Sequence, residues 1–134
     1  MRVGLLIITH RRIGSETLAA AERALGICPL QTRCLEVFNE DDRDELIARA
    51  RRLLEELDSG AGVLILTDAY GATPSNIAVE AAAGRTSRVV SGINLPMLLC
   101  VFNYPSRWLA ALAESAARGG RAGVVHIGQE EPKP

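Results

Sequence analysis

Val3-Gly-Leu-Leu-Ile-Ile-Thr9 is a β-type run with no polar alternation, and it stops at His10. A strand with one wet face alternates every second residue, so an unbroken run predicts a strand covered on both faces. The same signature recurs at Ala61-Gly-Val-Leu-Ile-Leu-Thr67, which stops at Asp68. Two such strands call for a sheet sandwiched between helices, and the segments around them supply those helices.

Between the two runs, helical spacing predicts a helix over Ser15–Leu25, with Ser15 as cap, Leu18, Ala21 and Leu25 on one face, and Gly26 as the stop. Thr32–Phe38 is predicted as a strand. Asn39-Glu-Asp-Asp42 then leads into a helix with Leu46, Ile47, Ala50, Leu53, Leu54 and Leu57 on its apolar stripe, its acidic start suiting the helix dipole. Beyond Asp68, a Thr73 cap and Pro74 at the first helical position predict a helix over Pro74–Ala83, closing near Gly84. Arg88-Val-Val-Ser91 makes a short fourth strand. Pro96 opens a helix that breaks around Tyr104-Pro105, and a further helix runs from Ser106 to about Arg118, burying Leu109, Leu112 and Ala116. Gly119-Gly120 is expected to turn the chain into a final apolar strand, Ala122–Ile127, whose pairing the pattern does not assign. The fold class that follows is α/β, an open doubly wound, mainly parallel sheet with helices on both faces.

At 134 residues the chain is expected to form one domain over residues 1–128, followed by a polar tail over 129–134. A net charge of −1 with interspersed signs argues against a nucleic-acid surface, and the Arg49, Arg51, Arg52 cluster lies among acids as a solvated helix face would. No apolar run reaches the ~18 residues of a membrane span, and no signal peptide is evident, so a cytoplasmic protein without membrane insertion is expected. Cys28, Cys34 and Cys100 lack metal or redox spacing and are read as reduced thiols in or near the core. Lys133 is the sole lysine and sits in the tail. That excludes a P-loop lysine, a Schiff-base lysine and the lysine of a receiver domain.

His10 and Asp68 each end a buried strand, so a parallel sheet delivers both to its carboxyl edge, where open α/β folds bind ligands. Neighbouring strands lie about 4.8 Å apart, close enough for an imidazole–carboxylate hydrogen bond. An aspartate accepting one ring N–H leaves the other nitrogen's lone pair facing outward as a nucleophile. Gly71-Ala-Thr-Pro-Ser75 adds free amides at a helix start, which favour an anion such as a phosphoryl group. Taken singly, each feature has an ordinary structural reading: a surface histidine, a turn aspartate, a routine cap. Their placement on one edge is what points to phosphoryl transfer without a metal or other cofactor. Arg11 and Arg12 could contact the phosphoryl group or an acidic partner, or simply be solvated. His126, inside the last apolar run, reads as structural.

The strand ending in Thr9-His10, the segment Asp68-Ala-Tyr-Gly-Ala-Thr-Pro-Ser-Asn76 and the segment Ser91-Gly-Ile-Asn-Leu-Pro-Met97 together resemble the mannose-type IIA domain of the bacterial phosphoenolpyruvate-dependent sugar phosphotransferase system. The resemblance spans nearly the whole chain. It implies that His10 is phosphorylated by HPr and passes the group to a IIB domain, with Asp68 orienting the ring and Gly71, Ala72 and Thr73 around the phosphoryl group. It also implies a homodimer in which Ala122–Ile127 crosses to the neighbouring subunit. Three positions depart from the family pattern: Arg11 and Ala72 stand where glycine is common, and Thr73 where serine is usual. Arg11 adds charge and bulk beside the histidine, bearing on partner preference and rate.

Other readings of the residues are a receiver-like domain phosphorylated on Asp68, a tetrapyrrole metal chelatase and a flavodoxin-like binding module. The first lacks the acidic pair and the lysine, the second a placed second ligand, and the third any phosphate fingerprint or stacking pair beyond Tyr70 and Trp108.

Overall fold

Four strands alternate with helices: β1 (Gly4–His10), α1 (Ile13–Leu25), β2 (Thr32–Val37), α2 (Arg43–Leu57), β3 (Val63–Thr67), α3 (Thr73–Ala82) and β4 (Ser87–Val90), followed by α4 (Leu95–Asn103) and α5 (Leu109–Ala122). The computed structural model describes residues 1–133, leaving Pro134 of the polar tail outside the described residues. The strands form one parallel sheet in the order β2-β1-β3-β4. The two unbroken apolar runs are its central strands, because only a central strand of a doubly covered sheet can bury every side chain.

The burial follows the strand's period of two. Leu5, Ile7, Leu64 and Leu66 point to one face and pack with Leu98, Val101, Phe102 and Leu112 of α4 and α5 and with Ala21 of α1. Leu6, Ile8, Val63 and Ile65 point to the other face, against Leu46, Ile47, Ala50 and Leu54 of α2 and Ile77, Ala78 and Ala81 of α3. The connection after β1 therefore leaves to one face, and the connections after β2 and β3 to the other. Among the described residues, no helix is long and apolar enough to cross a membrane.

Several boundaries differ from the sequence reading for local reasons. α1 starts at Ile13, with Arg12 at its N-cap. Ser15 is inside the helix and does not cap it; its hydroxyl donates to Glu36 Oε2 at 2.8 Å. Gly26 does close the helix, at φ 75°, donating its N–H to the Glu22 carbonyl. Thr73 is the first residue of α3 and Ala72 holds the N-cap position.

The largest correction lies at the C-terminus. Gly119-Gly120 is no turn; both glycines are in the last turns of α5. A Cβ on Gly119 would stand 2.6 Å from that of Cys100, and one on Gly120 2.8 Å from Met97 Cε. The pair thus serves close contact between α5 and α4. Ala122 ends that helix, and the expected strand Ala122–Ile127 does not form: Val124, Val125 and Ile127 are 77%, 69% and 86% exposed. A strand needs a hydrogen-bonding neighbour, and this segment does not pair with the sheet of its own chain. His126 is accordingly exposed instead of structural, and Cys28, expected near the core, is exposed too.

Candidate active site

β1 and β3 pair so that Ile8 lies opposite Thr67. His10 and Asp68 consequently emerge together at the carboxyl edge, in the crevice where successive connections diverge to opposite faces. His10 Nδ1 is 2.7 Å from Asp68 Oδ2, and the His10 backbone N–H donates to the same oxygen at 3.1 Å. Asp68 Oδ1 accepts the Ala69 N–H at 3.0 Å. Both carboxylate oxygens are engaged, and the side chain is 11% exposed against 43% for His10.

Burial pushes the Asp68 carboxyl upward, but the hydrogen bonds from the His10 ring and backbone and the charge of the ring outweigh it, so its pKa lies below the ordinary value. An ionised Asp68 only accepts, so Nδ1 carries the proton and Nε2 the outward lone pair. A folded-state pKa below the unfolded one gives stability that is complete above the ordinary carboxylate value of about 3.9 and is lost as pH falls through the folded value. Urea midpoints followed from about pH 6 down to about pH 2 will fall less steeply for Asp68→Asn than for the parent chain.

The rest of the edge is braced from two sides. Thr9, buried, accepts the Gly14 N–H at 2.8 Å through its hydroxyl, which donates to the His10 carbonyl at 3.2 Å. The loop after β4 closes on the end of β3: Gly92 N–H donates to the Asp68 carbonyl and Ile93 N–H to that of Thr67, both at 3.0 Å. Asn94 then caps α4, its Oδ1 accepting the Met97 N–H at 2.9 Å. The Ser91–Met97 motif is thus a strut holding Asp68.

Gly71, Ala72 and Thr73 stand at the opening of α3. Gly71 has φ 84°, a conformation that a glycine adopts without steric cost. The Ala72 N–H closes a turn onto the Ala69 carbonyl at 3.2 Å, and Asn76 Nδ2 donates to the Gly71 carbonyl at 3.3 Å. No side chain caps α3, which leaves first-turn amides free for an anion.

Arg11 has φ 44°, the left-handed region that favours glycine. Its N–H donates to the Val37 carbonyl at 2.8 Å, and its guanidinium lies 5.1 Å from the centroid of the Phe38 ring. The strain and the cation–π contact are each worth about 1 kcal/mol, with opposite sign. Arg11→Ala will therefore lower stability by about 0.5–1 kcal/mol, keeping the strain and losing the contact, while Arg11→Gly will stay within about 0.5 kcal/mol of the parent in urea unfolding.

Phe38 is a site residue that the sequence reading did not single out, and Thr9 entered it only as part of the Thr9-His10 motif. The signal for Phe38 is register: Val37, the last residue of β2, pairs with His10, so the residue just after that strand falls beside Arg11. Arg12 is exposed at the N-cap of α1, and His126 lies in the exposed segment after α5.

A family model described as the PTS system fructose IIA component matches residues 4–116. The PTS system mannose-specific EIIAB component of Escherichia coli (strain K12) is 29% identical over 100 residues, a match covering 74% of this chain and 31% of that protein. The chain thus spans about a third of the length of that relative. Among solved structures, the mannose/sorbose specific IIA subunit of the phosphotransferase system from Enterococcus faecalis superposes with a TM-score of 0.85 at 27% identity, covering 99% of this chain and 100% of that one. The PTS IIA protein associated with the fucose utilization operon from Streptococcus pneumoniae, at 24% identity and TM-score 0.80 over 94% and 93% of the two chains, shares the fold. With the family model covering most of its length, the chain belongs to the mannose-type IIA family of the phosphotransferase system.

Proposed function

We propose that this chain is a phosphoryl carrier that accepts the group from HPr on His10 Nε2 and passes it to a IIB domain, for sugar uptake or for regulation. The observation that carries this reading is the 2.7 Å bond between His10 Nδ1 and Asp68 Oδ2, which fixes the tautomer and frees Nε2. In the transfer, the Nε2 lone pair forms the new P–N bond as the bond from phosphorus to the donor's leaving atom breaks, the electron pair departing with the donor. The proton stays on Nδ1, and Asp68 offsets the positive charge spread over the ring. Gly71, Ala72 and Thr73 and the first-turn amides of α3 would receive the phosphoryl oxygens, with Arg11 at the rim as a contact to partner or phosphate. This step is positioning and electrostatics, and asks for no cofactor.

Asp68 is the poorer acceptor of the two residues, since its oxygens are already bonded and its side chain is mostly covered. The exposed apolar residues Val124, Val125 and Ile127 support a homodimer in which this segment finds on a second copy the strand partner it lacks at home. Residues 1–128 would then form the carrier domain and the remainder a polar tail in a cytoplasmic protein.

Incubation with phosphoenolpyruvate labelled in its phosphoryl group, enzyme I and HPr tests the reading. The parent chain is expected to take up about one acid-labile, alkali-stable label, and His10→Ala none. Equal labelling of the variant overturns the assignment.

A further inference from the structure

At the amino edge of the sheet, opposite His10, lies a cavity of about 820 Å³. That volume is ordinary for a site holding a small organic molecule. Four segments close around it: the residues before β1, those before β3, those entering β4, and the turn opening α5. Its apolar side includes Val3, Leu109 and the Trp108 indole, and its charged side is Arg85, Arg88 and Arg107. No carboxylate is among the residues lining it.

The guanidiniums differ in freedom. Arg85 is held by Glu55 at 3.2 Å. Arg107 has its guanidinium carbon over the Tyr104 ring, 3.6 Å from the centroid, and donates to the Ser115 hydroxyl, so its orientation is fixed in advance. Arg88 is exposed and has no ion-pair partner among the described residues. Three like charges around one concavity repel one another, and an anion placed among them relieves that repulsion while accepting charge-assisted hydrogen bonds. Trp108, the only tryptophan of the chain, is 87% exposed beside them. An indole left in water at the rim of a cationic cavity offers a stacking surface for a flat apolar body.

The geometry points to a second binding site, at the amino edge, for a small organic anion that joins a flat apolar ring to a phosphate, sulfate or carboxylate group. The ring would lie against Trp108 and Leu109, and the anionic group between Arg88 and Arg107. β1 is seven residues long, so the site stands about 20 Å from His10. Occupancy there leaves the crevice at the carboxyl edge free, and this site stands whether or not His10 is the carrier.

Because Trp108 is the sole tryptophan, its emission reports the site directly. Titration of the purified chain with phenyl phosphate is expected to change that emission saturably, with an apparent affinity at least about tenfold above that for inorganic phosphate or for phenol alone. Arg88→Ser should weaken binding about tenfold or more with the thermal midpoint unchanged, and His10→Ala should bind as the parent does. No saturable change, equal binding of inorganic phosphate, or undiminished binding by Arg88→Ser together with Arg107→Ser overturns the proposal. So does an indole already shielded from acrylamide in the undiluted protein and released on dilution, since a second copy of the chain would then be the occupant.

Discussion

Asp68→Asn will slow acceptance of the phosphoryl group by about two to four orders of magnitude, the range lost when a ring's tautomer and its charge partner are both disturbed. Asp68 now accepts at both oxygens, from His10 on one side and Ala69 on the other. An amide cannot do both, because one of its ends is a donor. If its oxygen faces His10, its NH2 meets the Ala69 N–H; if it faces Ala69, the NH2 meets the His10 backbone N–H and turns Nδ1 into an acceptor. The second arrangement puts the proton on Nε2 and removes the nucleophile. Both arrangements lose the negative charge that balances the ring during transfer. One unsatisfied donor costs about 1–3 kcal/mol of stability, so the variant remains folded and its defect is kinetic. Single-turnover labelling by phosphorylated HPr measures it, and a rate within a factor of a few of the parent would show that Asp68 does not orient the ring.

Gly14→Ala is expected to destabilise the chain by about 1–3 kcal/mol, where helix propensity alone predicts a gain of about 1 kcal/mol. Gly14 is buried in the first turn of α1, and a Cβ there would stand 2.5 Å from Ile7 Cγ2 and 3.0 Å from Thr9 Cγ2. Those atoms belong to the central strand, which can yield only by moving the sheet. The same glycine donates its N–H to Thr9, the residue that bonds the His10 carbonyl. Displacement at residue 14 therefore reaches the histidine, and slower labelling should accompany the lower urea midpoint. A stabilised variant would mean that α1 can ride outward without cost.

How much of this was legible depended on whether the determining contact was local. The runs ending at His10 and Asp68 gave the central strands and the shared edge, because burial on both faces is written residue by residue. The pairing of those two side chains followed from topology, and the structure places them 2.7 Å apart. Gly119-Gly120 misled, since a small-residue pair near a helix end reads equally as a turn or as a close approach, and only Cys100 and Met97 on α4 decide. The apolar run Ala122–Ile127 has a strand's composition, but whether it pairs is a property of its neighbour. The left-handed backbone of Arg11 was hidden too, because an arginine carries none of the signal that a glycine would.

The exposure of the His10 ring has a consequence for where rate control resides. If His10 is the carrier, an imidazole 43% open to solvent and backed by a single carboxylate is one wall of a reaction chamber. On the carrier reading, the other wall arrives with whichever protein docks, bringing the groups that steady the phosphorus in flight. Between dockings the loaded nitrogen would face bulk water, its phosphoryl group held by this chain's own amides with no acceptor opposite it. On that reading, such an arrangement would store transfer potential by leaving a partner to complete the site, and the same histidine would be filled by one visitor and emptied by another.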